Sequence, residues 1–92
     1  MVNAIVLINA EPKKINDLAQ DLVKIDAITE VFSVGGRYDL AAIIRVKSNE
    51  ELSDTVTGKL LSMDGIISTE TLIAFRVYSQ HDLERLFSIG ME

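Results

Sequence analysis

Five consecutive residues, Gly35, Gly36, Arg37, Tyr38 and Asp39, combine a flexible backbone with side chains suited to recognising a charged small molecule. Adjacent glycines accept positive φ and allow a ligand to approach the main chain. The Asp39 carboxylate can pair with an ammonium group, and the Arg37 guanidinium or the glycine N–H groups can meet a carboxylate. Tyr38 can line a pocket while its hydroxyl hydrogen-bonds. The segment predicts a zwitterion site, although a hairpin turn with solvated charges shows the same pattern.

Two threonines form a second candidate pair. Thr69 and Thr71 are two residues apart in a strand-like run, so their hydroxyls point to one face and can donate or accept hydrogen bonds. Cross-strand packing of β-branched residues explains the same spacing. Both interpretations stay open on the sequence alone.

Catalytic and metal-binding side chains are sparse. The chain contains one histidine, His81, and no cysteine, so a thiolate metal site, a disulfide and a cysteine nucleophile are excluded. The acidic residues are scattered and do not have metal-ligand spacing. We therefore predict no catalytic residue, no metal and no cofactor.

The periodicity of apolar residues predicts the elements that hold these candidates. Four segments have strand-like patterns: residues 2–9, 28–34, 40–46 and 66–78. Two helices are predicted, one starting around Pro12 and one capped by Ser48, which stands three residues before Glu51 as in a capping box. A short C-terminal helix is predicted between Ser79 and Gly90.

An internal repeat defines the order of these elements. Residues 22–28 correspond to residues 60–66, and each copy reads strand, helix, Asp-small turn, strand. Two copies in series give βαββαβ, the ferredoxin-like α+β arrangement with a four-stranded antiparallel sheet. We predict one domain, with residues 1–78 forming the ferredoxin-like part and residues 79–92 a helical extension of it.

One face of such a sheet is left without helices. Right-handed crossovers place both helices on the same face, and apolar residues are available to the other one: Ile5, Leu7, Phe32 and Leu72. An exposed apolar surface of this kind marks an interface, and two sheets packed face to face would bury it in a two-fold dimer. We predict an obligate homodimer.

Composition limits the remaining classes of function. The net charge of −5 and pI near 4.7 disfavour direct binding to nucleic acid. No apolar run approaches the roughly 20 residues of a membrane span, and the N-terminus has no signal-peptide pattern. A cytoplasmic protein is the default expectation.

Three segments in sequence order, residues 36–40, 63–66 and 69–71, resemble the effector-binding domain (regulation of amino acid metabolism, RAM) of the Lrp/AsnC transcription regulators. The family pattern is V-x-G-x-Y/F-D, then L-x-x-x-x-G-V, then T-x-T, with Ile66 here in place of the valine. The resemblance covers nearly the whole chain. It implies a dimeric α/β barrel that assembles into octamers or decamer-like rings and binds amino acids between dimers.

The resemblance also implies which residues contact the ligand: Gly36, Tyr38, Asp39, Thr69 and Thr71, with Gly35 and Arg37 beside them. Full-length members carry an N-terminal helix-turn-helix, whereas this chain starts at the first strand. It therefore resembles a stand-alone effector module that modulates transcription or amino-acid metabolism, with full-length regulators as candidate partners.

Three other functions share this architecture. A cofactor-free oxygenase or isomerase of the dimeric α/β-barrel type could use Asn3 or Asn9 at the strand ends. An ACT-like domain is disfavoured, because the glycine–aspartate loop lies between strands two and three. In a purely structural oligomerisation unit, the loop would only close a ring.

Overall fold

The structure, a computed structural model, describes residues 1–78 and Gln80. The strands are β1 (Val2–Ala10), β2 (Ile28–Ser33), β3 (Leu40–Val46) and β4 (Ile66–Ala74). A 3₁₀ turn (Pro12–Lys14) leads into helix α1 (Ile15–Leu22), and helix α2 (Asn49–Ser53) continues as a π-helical segment (Asp54–Lys59) and a 3₁₀ turn (Leu60–Ser62). The predicted βαββαβ order is confirmed. The predicted C-terminal helix and the extension 79–92 lie outside the described residues.

The sheet is antiparallel, with strand order β2-β3-β1-β4. Alternate residues of the central strand β1 (Ala4, Val6, Ile8) are buried against the helices, as expected for a strand whose side chains alternate between faces. Leu22 and Leu60 fill the same core from the two helical regions. Within residues 1–78, no helix is long and apolar enough to cross a membrane.

The second helical region begins as predicted and then changes its winding. The Ser48 hydroxyl accepts a hydrogen bond from Glu51 N at 3.2 Å, and the Glu51 carboxylate accepts one from Lys47 N at 3.1 Å. Further along, the Thr55 and Thr57 hydroxyls donate to carbonyls four residues earlier, at 2.9 Å and 2.6 Å. Such hydroxyls compete with the regular helical bonds. The predicted single helix is regular only over α2 and then continues as the π segment.

Two glycines provide a matched test of backbone conformation. A Cβ at Gly58 would meet nothing within 4 Å, so Gly58→Ala should raise the free energy of unfolding by up to about 1 kcal/mol. Gly65 has φ +97° and its Cβ would lie 3.1 Å from Lys14 Cβ, so Gly65→Ala should lower it by about 2 kcal/mol. Urea denaturation of both variants measures the difference. Equal effects of the two substitutions would contradict this assignment.

Strand β4 is shorter than the predicted residues 66–78, since it ends at Ala74. Ala74 pairs with Asn3, the second residue of β1, so at most Val2 and Met1 remain as pairing positions for the residues that follow. Phe75, beyond the sheet, is 99% exposed, and Val77 and Tyr78 are exposed as well. The prediction was wrong for residues 75–78 because apolar alternation does not report where the neighbouring strand begins.

The sheet face opposite the helices, here called the open face, carries an apolar row. Ile5 pairs with Ile43 on one side and with Leu72 on the other, so these side chains share that face. Leu7 and Phe32 lie on it too, and Phe32 and Leu72 are 48% and 44% exposed. The prediction that Ile5, Leu7, Phe32 and Leu72 face away from the helices is confirmed.

Candidate functional site

The connection between β2 and β3, residues 34–39, is here called the glycine loop. Val34 N donates to Asp39 O at 3.0 Å, which closes the loop, and Asp39 N donates to Ile8 O at 2.9 Å, which attaches it to β1. Gly36 has φ +112°, a conformation that favours glycine. Gly35 and Arg37 are exposed. The loop is therefore fixed at its base and accessible at its tip.

Asp39 has a structural contact that the sequence did not predict. One carboxylate oxygen, Oδ2, accepts a hydrogen bond from Ala10 N at 2.9 Å in a part-buried position. Ala10 lies where the pairing of β1 with β4 shifts its register, so the carboxylate satisfies an N–H group at an irregular point of the sheet. The second oxygen accepts no hydrogen bond from residues 1–78. Asp39 thus anchors the loop and keeps an acceptor available.

Tyr38 connects the loop to the edge strand. Its hydroxyl donates a hydrogen bond to the Glu70 carboxylate, and Glu70 pairs with Leu7, which places it on the open-face side of β4. This bond to Glu70 raises the pKa of Tyr38, desolvation adds to the effect, and Arg37 opposes it. Beside them, Asn9 Nδ2 donates to Ser68 Oγ at 3.3 Å. A polar cluster therefore borders the loop.

The pKa of Tyr38 gives a pH-dependent prediction. Because the folded pKa is raised above the unfolded value of about 10, the contact stabilises the fold below that pH and is lost as the pH rises through the raised pKa. In an ultraviolet titration, Tyr38→Phe should remove an ionisation above pH about 10, and Glu70→Gln should move that ionisation to lower pH. Tyr78→Phe serves as the control. A Glu70→Gln curve identical to that of the parent chain would contradict the assignment.

The two candidate threonines lie on the other side of β4. Thr69 pairs with Ile8 and Thr71 with Val6, so both side chains share the helix-covered face and are half-buried. Thr71 lines a groove of about 260 Å³ between β4 and helix α2. The structure thus attaches Asp39 to β1 and Tyr38 to β4. It places Thr69 and Thr71 on the other face of the sheet from Glu70. Ligand contact by any of the seven candidates stays a prediction.

Sequence reasoning missed Glu70, Asn9 and Ser68 as neighbours of the loop. The available signal was the alternation of residues 69–71, which puts Glu70 on the face that the threonines do not occupy. What the sequence could not supply was the register of β1 against β4, which sets Glu70 beside the end of β1 where Tyr38 reaches it.

An exposed ion pair holds the turn before β4. Lys14 Nζ lies 2.7 Å from Asp64 Oδ2 and 3.3 Å from Glu11 Oε2. The hydrogen bond from Lys14 keeps the pKa of Asp64 below its usual range, and the two carboxylates raise the pKa of Lys14.

Within the described residues, no group of three or more His, Cys, Asp or Glu side chains is arranged to hold a metal ion.

Comparisons with known proteins place most of the chain in one family of domains. Residues 3–83 match the Lrp/AsnC ligand binding domain. The HTH-type transcriptional regulator FL11 of Pyrococcus furiosus is 34% identical over 77 residues, which are 84% of this chain and 50% of FL11. The chain spans about half the length of the curated relatives it matches.

Solved structures show the same fold. The crystal structure of TTHA0845 from Thermus thermophilus is 42% identical, has a TM-score of 0.82, and is covered completely by 87% of this chain. The structure of E. coli AsnC is 25% identical with a TM-score of 0.80, and 86% of this chain covers 54% of it.

Proposed function

Because the chain belongs to the Lrp/AsnC ligand-binding domain family, we propose that it binds an amino acid at the glycine loop and passes that signal to a protein assembly. The observation that supports this most directly is the division within the loop. Asp39 and Tyr38 are held by β1 and β4, whereas Gly35, Gly36 and Arg37 are exposed. A fixed base with accessible polar groups is suited to selecting a small zwitterion.

Each charge of an amino acid has a complementary group here. Arg37 forms no ion pair with residues 1–78, so its guanidinium is available to an α-carboxylate. The second oxygen of Asp39 and the Glu70 carboxylate are acceptors for an α-ammonium. Loop N–H groups add donors where Gly35 and Gly36 leave the main chain open.

The open face supplies the assembly. Its apolar row would be covered by the open face of a second copy, giving the dimer predicted from the sequence. Contact between dimers then completes the walls of the glycine-loop site. A ligand that binds this completed site better than the separated halves favours the larger assembly by its difference in affinity. Mixed assembly with full-length regulators would carry the signal to transcription.

The relatives support a regulatory function over an enzymatic one. FL11 is named a transcriptional regulator, and AsnC gives the family its name. Asn9, a candidate for the enzyme alternative, donates to Ser68 in the cluster beside the loop. A purely structural unit would leave the free acceptors of the loop without a function.

Calorimetric titration of the twenty amino acids, followed by native mass spectrometry of any that bind, tests this proposal. We expect at least one dissociation constant below about 1 mM and a change in subunit number.

Arg37→Gln should weaken that binding by roughly 10-fold or more, through loss of a charged hydrogen bond. Lys24→Gln, which changes an exposed lysine just after the end of α1, is the matched control. Absence of binding by all twenty would overturn the proposal.

A further inference from the structure

A cavity separate from the groove beside Thr71 lies at the other end of the sheet from the glycine loop. This cavity, here called the far cleft, has a volume of about 520 Å³. It is bounded by the end of β3 and the residue after it, by the turn before β2, and by the second helical region. The glycine loop precedes β3 and the far cleft follows it, so the seven residues of β3 separate the two by roughly 23 Å.

The lining of the far cleft carries charges of both signs. Its charged residues are Asp26, Lys47, Glu51, Asp54 and Lys59. Arg45 also lines it, but the Arg45 side chain shares the open face with Ile43 and contacts Asn3 there. No ion pair within 4.0 Å joins any two of them. Opposite charges that surround one cavity without pairing are available to a ligand that carries both.

The π winding explains why two of these charges share the cleft. Asp54 and Lys59 are five residues apart, which would place them about 140° apart around an α-helix. In a π-helix the hydrogen bonds join residues i and i+5, so residues at that spacing lie close to one another in rotation. The segment Asp54–Lys59 therefore presents a carboxylate and an ammonium toward the same cavity. Short π segments occur often at functional sites.

Other charged groups at the cleft are held by the fold. The Glu51 carboxylate accepts from Lys47 N at 3.1 Å, and Arg45 donates to Asn3 Oδ1 at 3.3 Å while its main-chain N donates to Ala27 O at 2.9 Å. Thr55, which is 4% exposed, forms part of the wall. These contacts fix the positions of the wall before any ligand arrives, which lowers the entropy lost on binding.

We propose that the far cleft is a second binding site, and that its ligand is an amphoteric molecule of dipeptide size with one ammonium and one carboxylate. An inorganic anion or a phosphate ester would meet the carboxylates of Asp26, Glu51 and Asp54, and a polyamine would meet the ammonium groups of Lys47 and Lys59. A molecule with separated charges satisfies both sets at once. The volume of about 520 Å³ and the distribution of the charges over three parts of the chain favour a ligand longer than a single α-amino acid.

The test uses L-alanyl-L-alanine as the probe, with the N-acetylated dipeptide and the dipeptide amide as versions that lack one charge each. Amide NMR spectra of the isotope-labelled full chain should shift at Lys47, Thr55 and Lys59 with the free dipeptide and much less with either blocked form. Asp54→Asn and Lys59→Gln should each weaken that binding at least 5-fold. Asp17→Asn and Lys24→Gln, which change exposed charges on or next to α1, should leave it unchanged.

Three results would overturn this proposal. They are the absence of any shift at the far cleft, equal shifts with the blocked dipeptides, and shifts confined to residues 34–39. Because the spectra report the glycine loop and the far cleft separately, failure of one site can be distinguished from failure of the other.

Discussion

Replacing Ile5 with aspartate is expected to convert the proposed dimer into monomers. Ile5 is central on the open face, paired with Ile43 on one side and Leu72 on the other. In a single chain it is 37% exposed, so an isolated protomer can hydrate the new carboxylate. In a face-to-face dimer the same charge would be buried among apolar side chains without a partner. Such a charge costs several kcal/mol, which raises the dissociation constant by roughly 1,000-fold or more.

Sedimentation velocity at micromolar concentration measures this effect. The matched control is Gln20→Asp, which adds the same charge at an exposed position of α1 on the other side of the sheet. Far-ultraviolet circular dichroism should show the same secondary structure for both variants. If Ile5→Asp sediments with the mass of the parent assembly, the open face is not the interface.

Substitutions at Asp39 should separate its structural contribution from its contribution to binding. Asp39→Asn retains an oxygen that can accept from Ala10 N but removes the charge, whereas Asp39→Ala removes both. If the proposed site binds an amino acid, we expect both variants to lose affinity by roughly 10- to 100-fold, because the α-ammonium would lose a charged acceptor. Asp39→Ala alone should also lose about 1–3 kcal/mol of stability, since it leaves a part-buried N–H without an acceptor.

Calorimetry for affinity and urea denaturation for stability provide the two measurements, with Asp17→Asn as a control for the loss of one exposed negative charge. The proposed dimer should form in both Asp39 variants, because the apolar row of the open face is unchanged. Unchanged affinity in Asp39→Asn would remove the carboxylate from the ligand site, and its effect would then be structural only.

The fold was readable from the sequence because its signals are local and repeated. The two Asp-small turns, at residues 26–27 and 64–65, each stand directly before a strand in the structure. The Ser48 cap was predicted from its spacing to Glu51 and is present. These features depend on side chains a few residues apart, which is the range that spacing in a sequence reports.

Features that depend on residues far apart in the chain could not be predicted from the sequence. The end of β4 at Ala74 depends on its pairing with β1, and the contact of Tyr38 with Glu70 spans 32 residues. The π segment was not predicted from the helical apolar pattern, and the Thr55 and Thr57 hydroxyls that donate to main-chain carbonyls accompany it. The glycine loop was identified by residue type, but the anchoring of Asp39 on Ala10 required the register shift beside it.

The bond between Asp39 and Ala10 has a practical consequence for anyone who adapts this scaffold as a biosensor. It distinguishes loop positions at which the fold requires one residue type from positions at which the fold accepts several. Gly36 and Asp39 must be retained, the first for its φ of +112° and the second for its bond to the main chain. A library could therefore vary position 35, where an added Cβ meets nothing within 4 Å, and the exposed Arg37. Such variants could change the ligand selectivity of the proposed site without unfolding the domain.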